Sequence, residues 1–146
     1  MLGKFWFLQL IVFSTAATPF LSLGYTTFEV PITFRCTARG FWCYYARLVE
    51  VDRIHRDYIS HWGTQCNDRE RNSITLRGWD QGDGLFNNFY ELRLSVQHSC
   101  SDFSKRRVLN IDLDPISVRE TNVTIDIGEL LLDHRGYLTS NGWGEH

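Results

Sequence analysis

Beyond residue 25 the apolar residues of this chain fall at every second position almost without interruption, and that period leaves few folds open. Successive side chains of a β-strand point to opposite faces, so strict alternation marks a strand with one buried face. Phe28 to Arg35 alternates with Phe28, Val30, Ile32 and Phe34 on one face, and Pro31, which lacks a donor, predicts an edge strand or a free side. Tyr44 to Val51 is apolar on both parities and reads as central. Asp57 to Trp62 reads as a short strand, and Ser73 to Arg77 as another that the glycines from Gly78 to Gly84 interrupt. Tyr90 to His98 alternates through Leu92, Leu94 and Val96. Arg107 to Leu113 does so through Leu109, Ile111 and Leu113. Val123 to Ile127 alternates, then slips by one at Gly128 to Leu130 and Leu132, the pattern of a β-bulge. No segment keeps a helical period. Six or seven short strands joined by polar turns predict an all-β sandwich over residues 25–132, with 133–146 as a loose, glycine-rich tail.

Before the strands, Lys4 is followed by the apolar run Phe5 to Phe13 and by small residues up to Gly24, the layout of a signal peptide over 1–24. Gln9, Thr18 and Pro19 break the run, so no membrane anchor is expected after cleavage. The four cysteines, Cys36, Cys43, Cys66 and Cys100, all lie beyond it. In an exported small domain an even set reads as two disulfides, with three connectivities open. Asn122-Val-Thr124 is a glycosylation sequon. A net charge of −2 does not suit a phosphate backbone, and the basic run Lys105 to Arg107 is too short to change that, so no nucleic acid is expected.

Three constellations invite a chemical reading. His98 and Cys100 supply two metal ligands at most, where zinc needs three or four, and an oxidised cysteine is neither ligand nor nucleophile. Alternation instead places His98 on the core face, one nitrogen left for a backbone partner or water. Asp80 and Asp83 lack the oxygen spacing of a calcium loop. No catalytic residue, metal ligand or cofactor is therefore assigned. The aromatic cluster around Cys43 is different: Phe41, Trp42 and Tyr45 fall at a loop and strand start, where aromatics supply contact energy. They form a candidate surface for an extracellular protein, a lipid surface or a second copy of the chain.

The stretches ELRLSVQHSC, VLNIDLDP and VTIDIGELLL, with ITFRC and ARLVEVD before them, resemble the nematode transthyretin-like family over roughly residues 30–132. The chain stands as a divergent member, with Thr37-Ala-Arg-Gly40 in place of the family's Asn-Gly-Lys-Pro turn. The resemblance implies two four-stranded sheets packed face to face in a secreted binding or signalling protein that is not an enzyme. In that arrangement the turns of Cys66 and Cys100 share one end of the sandwich. Together with Cys36 and Cys43 at one connecting loop, this implies the pairs Cys36–Cys43 and Cys66–Cys100. Two other readings stay open. One is a carrier of a small apolar ligand in an oligomer channel. The other is a divergent hydroxyisourate hydrolase, whose terminal Tyr-Arg-Gly-Ser has only the reordered echo Arg135-Gly136-Tyr137 here.

Overall fold

The computed structural model describes residues 24–51, 56–81 and 88–144; the expected leader, apart from Gly24, and Asp83 of the acidic pair Asp80 and Asp83 lie outside them. In chain order the strands are β1 Tyr25–Arg35, β2 Trp42–Val51, β3 Arg56–Asn67, β4 Arg71–Gln81, β5 Phe89–Tyr90 and β6 Leu92–His98. They continue with β7 Arg106–Asp112, β8 Ile116–Ser117, β9 Asn122–Thr124, β10 Gly128–Leu131 and β11 Tyr137–Thr139. There is no helix among the described residues. The all-β expectation holds. A four-stranded sheet sets β4 antiparallel to one edge of β1, with β9 and β10 parallel along the other. A five-stranded antiparallel sheet runs β11-β7-β6-β2-β3, and β5 and β8 form a small pair of their own.

The alternating residues meet between the sheets. Phe28, Val30, Ile32 and Phe34 of β1 share one buried cluster with Tyr44, Ala46 and Leu48 of β2 and Leu92, Leu94 and Val96 of β6. Tyr90 meets the ring of Phe28 edge-on at 5.2 Å, and Phe34 lies 4.8 Å from Tyr44. Each such side chain contributes about 1.5–3 kcal/mol by leaving water, which makes this layer the main source of stability.

Four details depart from the sequence reading. First, β1 is no edge strand. Pro31 O accepts from Ile127 N, so the missing donor of Pro31 faces the gap where β9 has ended and β10 has not begun. Across that gap the register moves from Glu29↔Thr124 to Ile32↔Gly128, one residue more on the later strand, with Gly128 at φ +67°. The expected slip at Gly128 is thus a real insertion. Second, Gly78 does not end β4. A Cβ there would sit 2.4 Å from Ile59 O, so the glycine admits the backbone of β3, and the strand runs on to Gln81.

Third, β3 is longer than Asp57–Trp62. Two register shifts against β2 absorb its additional residues. Fourth, the C-terminal segment packs on the domain as far as residue 144. It adds β11 to the edge of β7, and a Cβ on Gly136, at φ +83°, would lie 2.4 Å from Val108 O. Beyond β11 the chain crosses the outer face of the five-stranded sheet. There Gln97 Nε2 donates to Gly142 O at 3.0 Å, and Gly144 N donates to Gln97 Oε1 at 2.8 Å. Polar, glycine-rich sequence hid a strand whose partner is 30 residues away.

All four cysteines are oxidised, but not in the implied pairs: Cys36 joins Cys100 and Cys43 joins Cys66. The reason is the β1–β2 connection. It is not a hairpin turn but a crossing from one sheet to the other, so Cys36 and Cys43 belong to different layers. Cys43 stands in register with Cys66 on β3, Cα atoms 4.0 Å apart. Cys36 faces the core and reaches Cys100 just past β6 at 5.7 Å, bridging the sheets.

Candidate binding surface

The inter-sheet disulfide organises one end of the domain. Two loops meet there: Thr37 to Phe41, which crosses between the sheets, and Ser101 to Lys105, which links β6 to β7. The second is held tightly. Asp102 Oδ1 accepts from Ser104 N at 3.0 Å and from Ser104 Oγ at 2.6 Å, and Lys105 N donates to Asp102 O. These donors, with Lys105 behind them, hold the Asp102 carboxyl below the usual carboxylate range. Ser101 sits at φ +84°, unusual for a residue with a side chain, and its Oγ accepts from His134 N. The first loop is pinned by Asp133, whose carboxylate accepts from Thr37 N and Thr37 Oγ1.

Between these loops Phe41 and Phe103 stand out of the domain, 56% and 62% exposed, with ring centroids 5.9 Å apart. Below them a cleft of about 270 Å³ reaches down to the Cys36–Cys100 bond and the edge of Trp42. Arg39 and Asp102 lie on its rim. Two rings exposed to water, presented on turns fixed by side-chain hydrogen bonds, lose little conformational freedom when another surface covers them. The geometry suits contact.

Of the three aromatics named from sequence, only Phe41 belongs to this surface. Trp42 is buried, its indole Nε1 donating to Arg69 O at 2.7 Å. Tyr45 is buried as well, on the opposite parity of β2. Its ring packs against Gly144 and over His61, and its hydroxyl bonds that of Tyr58 at 2.5 Å. Burial first, and then that bond, push the Tyr58 phenol up to about 12. Alternation alone puts Tyr45 on the outer face, and only the returning tail covers it. Phe103, which sequence reading passed over, had one signal: a single large ring in the otherwise polar run Ser101 to Lys105.

His98 takes the place its alternation gave it. It is fully buried opposite Tyr44, Nε2 donating to Arg135 O at 3.1 Å, with Nδ1 buried and unpartnered among the described residues. Burial, aided by Arg107, lowers its pKa to about 4, so the ring is neutral. The sulfurs of Cys36 and Cys100 and the Asp133 carboxylate lie within 4.8 Å of one another, but a disulfide offers no thiolate to a metal. Asn122 is exposed on the outer face of the four-stranded sheet, its Oδ1 accepting from Thr27 Oγ1 at 2.6 Å. That face also carries ion pairs, Arg77 with Glu29 and Arg35 and Arg71 with Glu129, and near Asn122 an exposed edge-on ring pair, Tyr25 and Trp79, with centroids 6.3 Å apart.

Comparison with known proteins adds two findings. A family described as Caenorhabditis elegans protein of unknown function (DUF870) matches residues 31–130, from within β1 to within β10. An uncharacterized protein of Caenorhabditis elegans is 28% identical over 92 residues, which cover 60% of this chain and 69% of that protein. The matched region holds all four cysteines and most of the core; Phe28, Val30 and Leu132 lie just outside it.

Proposed function

Since this chain belongs to the Caenorhabditis elegans family of unknown function DUF870, whose description names no activity, we propose that it is a secreted, transthyretin-like binding protein. It works outside the cell by contact with another protein, without cofactor or catalysis. The observation that carries this reading is the Phe41–Phe103 pair, exposed and held at the inter-sheet disulfide. Two disulfides with no free cysteine among the described residues suit an oxidising compartment. The leader read at 1–24 and the exposed Asn122 sequon suit the same route, with Asn122 as its glycan site. Two β-sheets packed face to face support the transthyretin-like assignment.

The test is binding of the labelled, oxidised chain to nematode tissue. The variant Phe41→Ser/Phe103→Ser should fold, since both rings are exposed, and should lose most of the binding. Undiminished binding by that variant would remove this surface from the account. Loss of dimer in the variant, with tissue binding absent in both, would replace the outside partner by a second copy of the chain.

A further inference from the structure

On the outer face of the five-stranded sheet one cross-strand row reads His61, Arg47, Ser95, Asn110, in register across β3, β2, β6 and β7. Like-faced neighbours on adjacent strands stand about 5 Å apart, so these polar groups converge. The row holds no carboxylate. Arg47 forms no ion pair among the described residues, and its Nε is buried without a hydrogen-bond partner. An arginine so placed, half-buried and unpaired, is costly unless something accepts from it.

The surroundings make a built cleft of this row. On one side lies Tyr58, fixed by its hydroxyl bond to Tyr45. On the other stands Tyr137 of β11, which the C-terminal segment brings to this face. The clamp of Gln97 on Gly142 and Gly144 covers the neighbouring row, so the sheet is closed beside Arg47 and open above it. Arg93 lines the same cleft but is already neutralised by Asp112, 2.5 Å away. The volume is about 280 Å³.

We propose that this cleft is a binding site for a monoanionic carboxylate, held by the guanidinium of Arg47 with Ser95 and Asn110 as further donors and the rings of Tyr58 and Tyr137 as flanks. One unpaired positive charge matches one negative charge. The planar fork of arginine fits a carboxylate through two parallel bonds, and the tyrosines favour a flat or apolar group attached to it. The carboxylate belongs to a small organic acid or to the C-terminal end of a peptide. This site lies on a different face from the Phe41–Phe103 surface and does not depend on it.

The experiment is a titration of the isotopically labelled, oxidised full chain with sodium benzoate, followed by the Nε–Hε signals of its arginines. One arginine signal, together with the amides of Ser95 and Asn110, should shift saturably. Arg47→Gln should weaken binding about tenfold or more, as expected for loss of a charge-assisted pair, whereas Arg71→Gln on the other sheet should not change it. Asn110→Leu, at an exposed strand position, should narrow the cleft and weaken binding even if Arg47→Gln fails to fold. N-acetylphenylalanine binding more tightly than benzoate identifies a peptide end; the reverse identifies a free acid. Absence of saturable shifts with both, undiminished binding by Arg47→Gln, or tighter binding of inorganic phosphate would overturn the proposal.

Discussion

Cys36 and Cys100 join the end of β1 to the residue that follows β6, so a single bond crosses the core and ties one sheet to the other. Cys43 and Cys66 only tie β2 to its neighbour in the same sheet. The first closes a loop of 64 residues and the second one of 23. On the chain-entropy account these restrict the unfolded chain by about 4 and about 3 kcal/mol. Cys36→Ala/Cys100→Ala should therefore lose more stability in urea than Cys43→Ala/Cys66→Ala. Equal losses, or the reverse order, would show that the bridge between sheets is not the dominant crosslink.

His98 predicts an acid-sensitive fold. Its pKa falls from 6.5 in the unfolded chain to about 4 in the folded one, so the unfolded state binds the additional proton between those values. The stabilisation from a neutral buried ring is complete above pH 6.5 and is lost as pH falls through 4. The slope within the window approaches about 1.4 kcal/mol per pH unit. His98→Gln, whose amide can still donate toward Arg135 O, should be flatter over this range in urea titrations. A parallel slope in both proteins would assign the acid sensitivity to carboxylates instead.

The Gln97 amide acts on the tail as a neighbouring peptide group would, donating at one end and accepting at the other. Gln97→Ala removes both bonds and should cost about 1–3 kcal/mol. More tellingly, the Gly144 amide should exchange its hydrogen much faster while the amides of β6 stay protected. Unchanged exchange at Gly144 would mean that β11 alone fixes the tail.

Gly78 predicts a steric failure. Gly78→Ala would press a methyl against the Ile59 carbonyl, and overpacking of this kind costs about 1–3 kcal/mol. The same change at Gly63, where a Cβ meets nothing within 4 Å, should cost less. A tolerated Gly78→Ala would mean that β3 and β4 separate at little cost.

What alternation could express, the sequence expressed well. The core faces of β1 and β6, the place of His98 and the inserted residue at Gly128 all follow from counting by twos, while β2, apolar on both parities, announces only a central strand. What escaped depends on which layer a strand joins. Cys36 and Cys43 are seven positions apart and look like a hairpin pair, until the connection between them is seen to change sheets. Tyr45 has outward parity, and nothing local announces that residues 142–144 will return to cover it. Pro31 correctly signalled a missing donor, but the unpaired edge it needs is only the short gap between β9 and β10. The Arg47 row was invisible for a related reason: its four residues come from four strands, and only the register makes them neighbours.

The account rests on an exported domain whose two sheets are covalently joined, and peptide mapping without reduction tests that most directly. The protein recovered from the medium of a secretory host should give Cys36 linked to Cys100 and Cys43 linked to Cys66, with no free thiol. Retention of the chain inside the cell with reduced cysteines, or a Cys36–Cys43 peptide in the secreted material, would contradict it.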